Sequence, residues 1–82
     1  MSAFVYLLRC RDGSLYCGWT TEPERRERQH QAGTASRYTR RRRPVEMVWV
    51  KPVPGRSAAL REEWRIKQLT RAEKWALVRA AA

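Results

Sequence analysis

This sequence has too few metal-binding side chains for a structural metal cluster and no apolar run that reaches membrane-spanning length. Cys10 and Cys17 are its two cysteines and His30 its one histidine, too few ligands for a structural zinc site. On predicted strands of a cytosolic chain the two thiols are expected to stay reduced, and no chemistry is assigned to them. The longest apolar runs are far shorter than a bilayer span, and no apolar stretch of the export-signal kind follows Met1. The expectation is a soluble, cytoplasmic protein with no membrane partner. Its 82 residues form a single domain over positions 1–82. That length allows a modest apolar core, to which four tryptophans can add large buried area.

Acidic side chains are also scarce. Eighteen Lys and Arg face eight Asp and Glu, giving a net charge of +10, and 15 of the 18 bases are arginine. The planar guanidinium matches phosphate in a bidentate way that lysine does not. A polyanion partner follows, nucleic acid first. The competing reading is a solvated basic surface, and GC-rich coding also favours arginine over lysine. Residues 37–43 concentrate the charge: Arg37, Tyr38, Arg40, Arg41, Arg42 and Arg43 surround a single threonine. Such a cluster grips a phosphate backbone without reading sequence. Arg25 and Lys67 are counted with it.

The pattern along the chain predicts an α+β fold, a small three-stranded, mostly antiparallel sheet flanked by helices in the order ββα(α)βαα. Residues 3–9 and 15–20 read as a hairpin turning at Asp12-Gly13. Thr21 and Glu24 form a capping box with Pro23 in the first turn, and the helix they open runs to Ala32 and stops at Gly33. Residues 34–43 form a basic loop or short helix. Residues 45–53 alternate as the third strand, ended by Pro52-Val53-Pro54-Gly55. Ser57 caps a helix that runs through Leu69, and Thr70 with Glu73 opens the last one.

Two tyrosines, Tyr6 and Tyr16, fall on the hairpin. They share a face only if paired residue numbers add to an even value. A tight two-residue turn separates them; a three-residue turn with Gly13 in the left-handed position sets Cys10 against Ser14 and aligns them. The first helix carries no large apolar side chain, yet Arg26 and His30 lie four apart on one stripe. That stripe suits a phosphate. It is equally what a solvated helix held by pairs such as Glu22 with Arg26 would look like. On the later helix Glu63 falls inside the apolar arc, where a carboxylate needs a cation or metal partner. Lys67, at i+4, is the ordinary alternative, and Glu62 is the second choice of carboxylate.

In this order, the residues resemble the GIY-YIG nuclease domain, and in particular its small stand-alone bacterial members. Val5-Tyr6-Leu7 and Tyr16-Cys17-Gly18 stand for the two triplets. Thr20-Thr21, Glu24-Arg25-Arg26, His30 and Gly33 follow, then Tyr38-Thr39 with the arginines through Arg43. Ala59-Leu60, Glu63, Ile66-Lys67, Leu69 and Arg71-Ala72-Glu73-Lys74 complete it. The resemblance covers nearly the whole chain. It implies phosphodiester cleavage with one divalent cation, Mg²⁺ or Mn²⁺, held by Glu63. Tyr6 and Tyr16 would position or activate the attacking water beside His30, and Arg26 would offset charge on the phosphate; Gly13 and Gly18 are structural. Departures exist: Cys17 replaces a β-branched residue, Trp19 stands where some members have lysine, and no asparagine is present.

Three function classes follow. The first is a metal-dependent endonuclease on structured, single-stranded or damaged DNA, in repair or recombination, with DNA preferred to RNA. The second is a nucleic-acid-binding module of the same fold with weak or no turnover. The third is a small protein that binds another protein or a metal.

Overall fold

The computed structural model describes residues 2–81. Strand β1 (Ala3–Arg9) is central, with β2 (Leu15–Thr20) and β3 (Glu46–Val53) antiparallel on either side. Helices α1 (Pro23–Ala32) and α2 (Arg37–Arg40) lie between β2 and β3, and α3 (Arg56–Lys67) and α4 (Arg71–Ala81) follow. This is the expected α+β order.

The hairpin takes the bulged form. Cys10 N donates to Ser14 O at 2.9 Å, Gly13 N donates to Cys10 O at 2.9 Å, and Gly13 has φ +84°, a region that suits a residue without Cβ. Tyr6 therefore pairs with Gly18 and Leu8 with Tyr16, so both tyrosines leave the same face of the sheet. The opposite face carries Ala3, Val5, Leu7, Leu15 and Cys17, which close the apolar core with Ala59 and Ile66 of α3. Alternation along two short strands thus assigns one face to packing and the other to chemistry.

Helix α1 is held in an unusual way. Its one buried residue is His30. Glu27 and Gln31, one turn apart, accept hydrogen bonds from the backbone of the third strand's start: Met47 N to Glu27 Oε2 at 2.8 Å and Val45 N to Gln31 Oε1 at 2.9 Å. Polar hooks replace the apolar stripe that a surface helix normally buries.

Several local expectations are corrected. Thr21 does not cap α1: Glu22 is the N-cap residue with no side-chain cap bond, and Thr20 Oγ1 instead accepts from Glu22 N at 3.1 Å. Glu22 pairs with Arg25, not Arg26. Ser57 lies inside the first turn of α3, behind Gly55 at the cap, and that helix ends at Lys67 rather than Leu69. Trp64 adds nothing to the core, being 68% exposed. The capping box of α4 does form: Thr70 N donates to Glu73 and Glu73 N to Thr70.

Candidate active site

Tyr6 is buried, and its phenol crosses the backbone of Gly18 on the neighbouring strand. From there its hydroxyl lies 2.7 Å from His30 Nε2. The other ring nitrogen, Nδ1, is 2.8 Å from Thr39 Oγ1, and that hydroxyl in turn donates to Ser36 O at 3.4 Å. In the tautomer that leaves the Thr39 hydroxyl hydrogen on Ser36, His30 Nδ1 is the donor to Thr39. Nε2 is then the acceptor and Tyr6 the donor. In that tautomer the donors run from Tyr6 to His30 to Thr39 to Ser36. Burial holds the His30 pKa down to about 4, helped by the Arg26 charge, so the imidazole is neutral near pH 7. Burial, and then Tyr16, push the Tyr6 phenol well above its ordinary value, so it keeps its proton.

Tyr16 sits beside the same histidine, ring centroids 5.2 Å apart in an edge-on contact. Its other neighbour is Tyr38, stacked at 5.8 Å. The Arg42 guanidinium covers the Tyr38 ring at 3.8 Å while its Nε donates to Asp12 Oδ2 at 3.1 Å. Asp12 belongs to the hairpin turn, so the basic segment is clamped back onto the loop between the tyrosine-bearing strands.

Glu63 arrives from the other layer. Helix α3 packs on the core face, with Cys17 Sγ 4.0 Å from Glu63 O, and the carboxylate reaches round the β2 edge at Gly18. Its side chain is 20% exposed and lies 3.7 Å from Lys67 Nζ. Glu62 is otherwise engaged: hydrogen bonds from Arg65 and Lys51 hold its pKa down to about 2. It faces the third strand rather than the tyrosines. Burial and the Glu63 charge push the Cys17 thiol up to about 12, so it carries no nucleophilic thiolate.

These side chains open onto one cavity of about 350 Å³, lined by Tyr6, Tyr16, Arg26, His30 and Glu63. All five sequence candidates line it. Glu63 is the sole carboxylate lining this cavity among the described residues, which contain no cluster of three or more His, Cys, Asp or Glu able to hold a metal. That donor set still fits a hard divalent cation, which retains several waters and takes one or two carboxylates plus substrate phosphate oxygens.

The basic candidates divide. Arg37, Arg40 and Arg41 are exposed around a second concavity. Arg42 is committed to Asp12 and Tyr38, and Arg43 to the backbone oxygens of Arg40 and Gln31. Arg25 is exposed and paired with Glu22 at 3.0 Å, and Lys67 is paired with Glu63. The sequence pattern assigns no side-chain role to Thr39 or Asp12 and no stacking role to Tyr38. None has a periodic signal, because each acts through a contact that the fold creates.

A family model described as the GIY-YIG catalytic domain matches residues 2–76. The chain belongs to the GIY-YIG family. A UPF0213 protein of Oceanobacillus iheyensis is 49% identical over 75 residues, covering 92% of this chain and 87% of its own. One from Vibrio cholerae is 50% identical over 80 residues, covering 96% and 79%. The solution NMR structure of a UPF0213 protein from Bacillus halodurans superposes with TM-score 0.62 at 40% identity, covering 98% of this chain and 85% of that one. GIY-YIG proteins are a nuclease family, and membership implies binding to nucleic acid. No helix among the described residues is long and apolar enough to cross a membrane.

Proposed function

We propose that this GIY-YIG protein is a divalent-metal-dependent endonuclease that cleaves a phosphodiester bond of DNA in the Tyr6–Glu63 cavity. One observation carries the reading: a neutral tyrosine–histidine relay, an arginine and a lone carboxylate open onto one cavity, although they come from both layers of the sheet. Glu63 would hold Mg²⁺ or Mn²⁺. When bound, that cation supplies Lewis-acid stabilisation of charge on the phosphoryl oxygens.

The remaining work falls to the chain. Tyr6 donates its proton to His30, which leaves a phenol lone pair to accept a hydrogen bond from the attacking water. As that water attacks phosphorus, its proton passes to the Tyr6 oxygen and the Tyr6 proton to His30 Nε2, an acceptor that is uncharged at rest. Tyr16, fixed between His30 and Tyr38, forms a second polar wall for that water. Arg26 offsets the negative charge that grows on the phosphate. Arg37, Arg40 and Arg41 hold the backbone beyond the cavity. Structured, single-stranded or damaged DNA is the substrate class, with repair or recombination as the setting in the cytoplasm.

The test is a cleavage panel of branched, nicked, single-stranded and duplex DNA with Mg²⁺ or Mn²⁺. Wild type should nick at least one substrate, and Glu63→Gln should abolish nicking while binding at least as tightly, since it removes a negative charge. Nicking by Glu63→Gln at the wild-type rate sinks the assignment. Binding without cleavage of any substrate favours the module without turnover.

A further inference from the structure

Trp64 is 68% exposed on a helix whose other long apolar side chain outside the core, Leu60, is 43% exposed. The two are four residues apart and share one face of α3. The rotation of α3 is fixed at both sides: Ala59 and Ile66 are buried against the sheet, and Glu62 is paired with Lys51 of the third strand. Taking Ala59 as 0° and about 100° per residue, Glu62 lies near −60°, Glu63 near 40°, Lys67 near 80°, Leu60 near 100° and Trp64 near 140°. The helix therefore turns outward on the Glu63 side, past the β2 edge, through Lys67 and Leu60 to Trp64. Trp64 follows Glu63 in the chain and lies about 100° round the helix from it, outside the residues that line the cavity.

We propose that Trp64, which shares the outer face of α3 with Leu60, is a stacking site for one unpaired nucleobase of the strand whose phosphate occupies the cavity. The inference rests on the nuclease reading for which strand lies there, and it adds a specificity element to that site. Aromatic faces take any base by stacking, provided the base is free of its partner. The rim matches a nucleic acid: Arg56, Arg61 and Lys67 lie on this side of the helix or at its margin, and the one carboxylate among them is Glu63. A second copy of the chain fits poorly. A two-fold contact through this face would set the same cations against each other in a molecule of net charge +10. Duplex DNA offers only phosphates and stacked base edges here, so stacking on Trp64 discriminates for a strand with a base displaced or unpaired.

The experiment measures binding without cleavage, in EDTA, by fluorescence anisotropy. The probes are a labelled oligothymidylate, the same strand with abasic tetrahydrofuran residues, and a duplex of equal length. Wild type should bind the base-bearing strand roughly tenfold or more tightly than the abasic one. Trp64→Ala should erase that ratio with its salt dependence unchanged, and Trp64→Phe should keep most of it. The exposure of Trp64 means that both variants should melt like wild type. Equal affinity of wild type for the two strands overturns the proposal, as does an equal loss on all three probes in Trp64→Ala. So does a dimer in sedimentation that Trp64→Ala dissociates. Failure of the nuclease reading appears separately, as absent cleavage with the base-dependent ratio intact.

Discussion

The Tyr6 phenol lies so close over Gly18 that a Cβ at position 18 would sit 2.5 Å from the Tyr6 oxygen and 2.6 Å from its Cζ. Neither partner can yield. Gly18 is hydrogen-bonded strand backbone opposite Tyr6, and Tyr6 is buried with its hydroxyl committed to His30. Gly18→Ala should displace the phenol and break the relay, at a cost of about 1–3 kcal/mol from overpacking alone. In a domain of this size each kcal/mol lowers the melting temperature by about 4–8 °C. Calorimetry with a cleavage assay checks both effects. An unchanged melt would mean that the ring has room to move.

His30 gives the protein a distinct pH signature. Its folded pKa of about 4 lies below the ordinary 6.5, so the fold refuses a proton that the unfolded chain accepts. The stability contribution is complete above about pH 6.5 and is lost as pH falls toward 4. At ~1.4 kcal/mol per pH unit the loss across this window approaches ~3 kcal/mol. With one histidine in the chain, the upper part of the window belongs to this residue. Urea midpoints should decline from pH 6.5 to about 5 in wild type. They should stay flat over that range in His30→Gln, which is weaker overall but has no imidazole to protonate.

The hairpin was legible in the sequence because parity leaves few choices. Once Gly13 takes the left-handed position, the register of Tyr6 and Tyr16 follows by counting. Glu63 was legible because one carboxylate inside an apolar arc conflicts with simple packing. The attachment of α1 was not, since Glu27 and Gln31 bind backbone groups 20 and 14 residues ahead and leave no periodic trace. Thr21 does not cap α1 because two adjacent threonines compete for one helix start, and the buried Thr20 takes the bond. Residue type alone suggests Trp64 as a core residue, but its place on the helix does not. Its angle near 140° from Ala59 already points it away from the sheet.

The polar hooks of α1 can be tested directly. Glu27→Ala leaves Met47 N without its acceptor, and a hydrogen bond to a charged group contributes about 1.5–3 kcal/mol. Glu24→Ala, on the exposed side of the first turn, should cost only a few tenths of that. Glu27→Gln keeps an acceptor oxygen and should recover most of the loss. Chemical denaturation ranks the three. Equal stability of Glu27→Ala and Glu24→Ala would mean that the hook contributes nothing and α1 is held by His30 alone.

Tyr16 is held by a stacked contact with Tyr38 as well as by its edge-on contact with His30. Tyr38→Phe keeps the ring and should leave cleavage near wild type. Tyr38→Ala removes the ring that both Tyr16 and Arg42 pack against, and an aromatic pair contributes about 0.5–1.5 kcal/mol beyond its buried area. The expected result is a several-fold drop in kcat with a smaller change in KM, because the ring positions Tyr16 and does not contact the phosphate. A change confined to KM would make Tyr38 a substrate contact instead.

The arginines of residues 37–43 should separate into two groups by salt dependence. Arg40 and Arg41 are exposed beside a concavity, whereas Arg42 is tied to Asp12 and Tyr38. Each phosphate contact removed lowers the slope of log K against log salt by about 0.7 on a single strand and about 0.9 on a duplex. Arg40→Ala and Arg41→Ala should each reduce the slope by about that amount and leave the melt unchanged. Arg42→Ala should do the reverse, loosening the clamp between the basic segment and the hairpin turn while the slope holds. Asp12→Asn should copy Arg42→Ala in the melt, because it weakens the same ion pair without removing any positive charge from the surface. A slope that falls equally in all three arginine variants would mean that Arg42 leaves Asp12 when nucleic acid binds. In that case Asp12→Asn should tighten binding, because the carboxylate would no longer compete with phosphate for the same guanidinium.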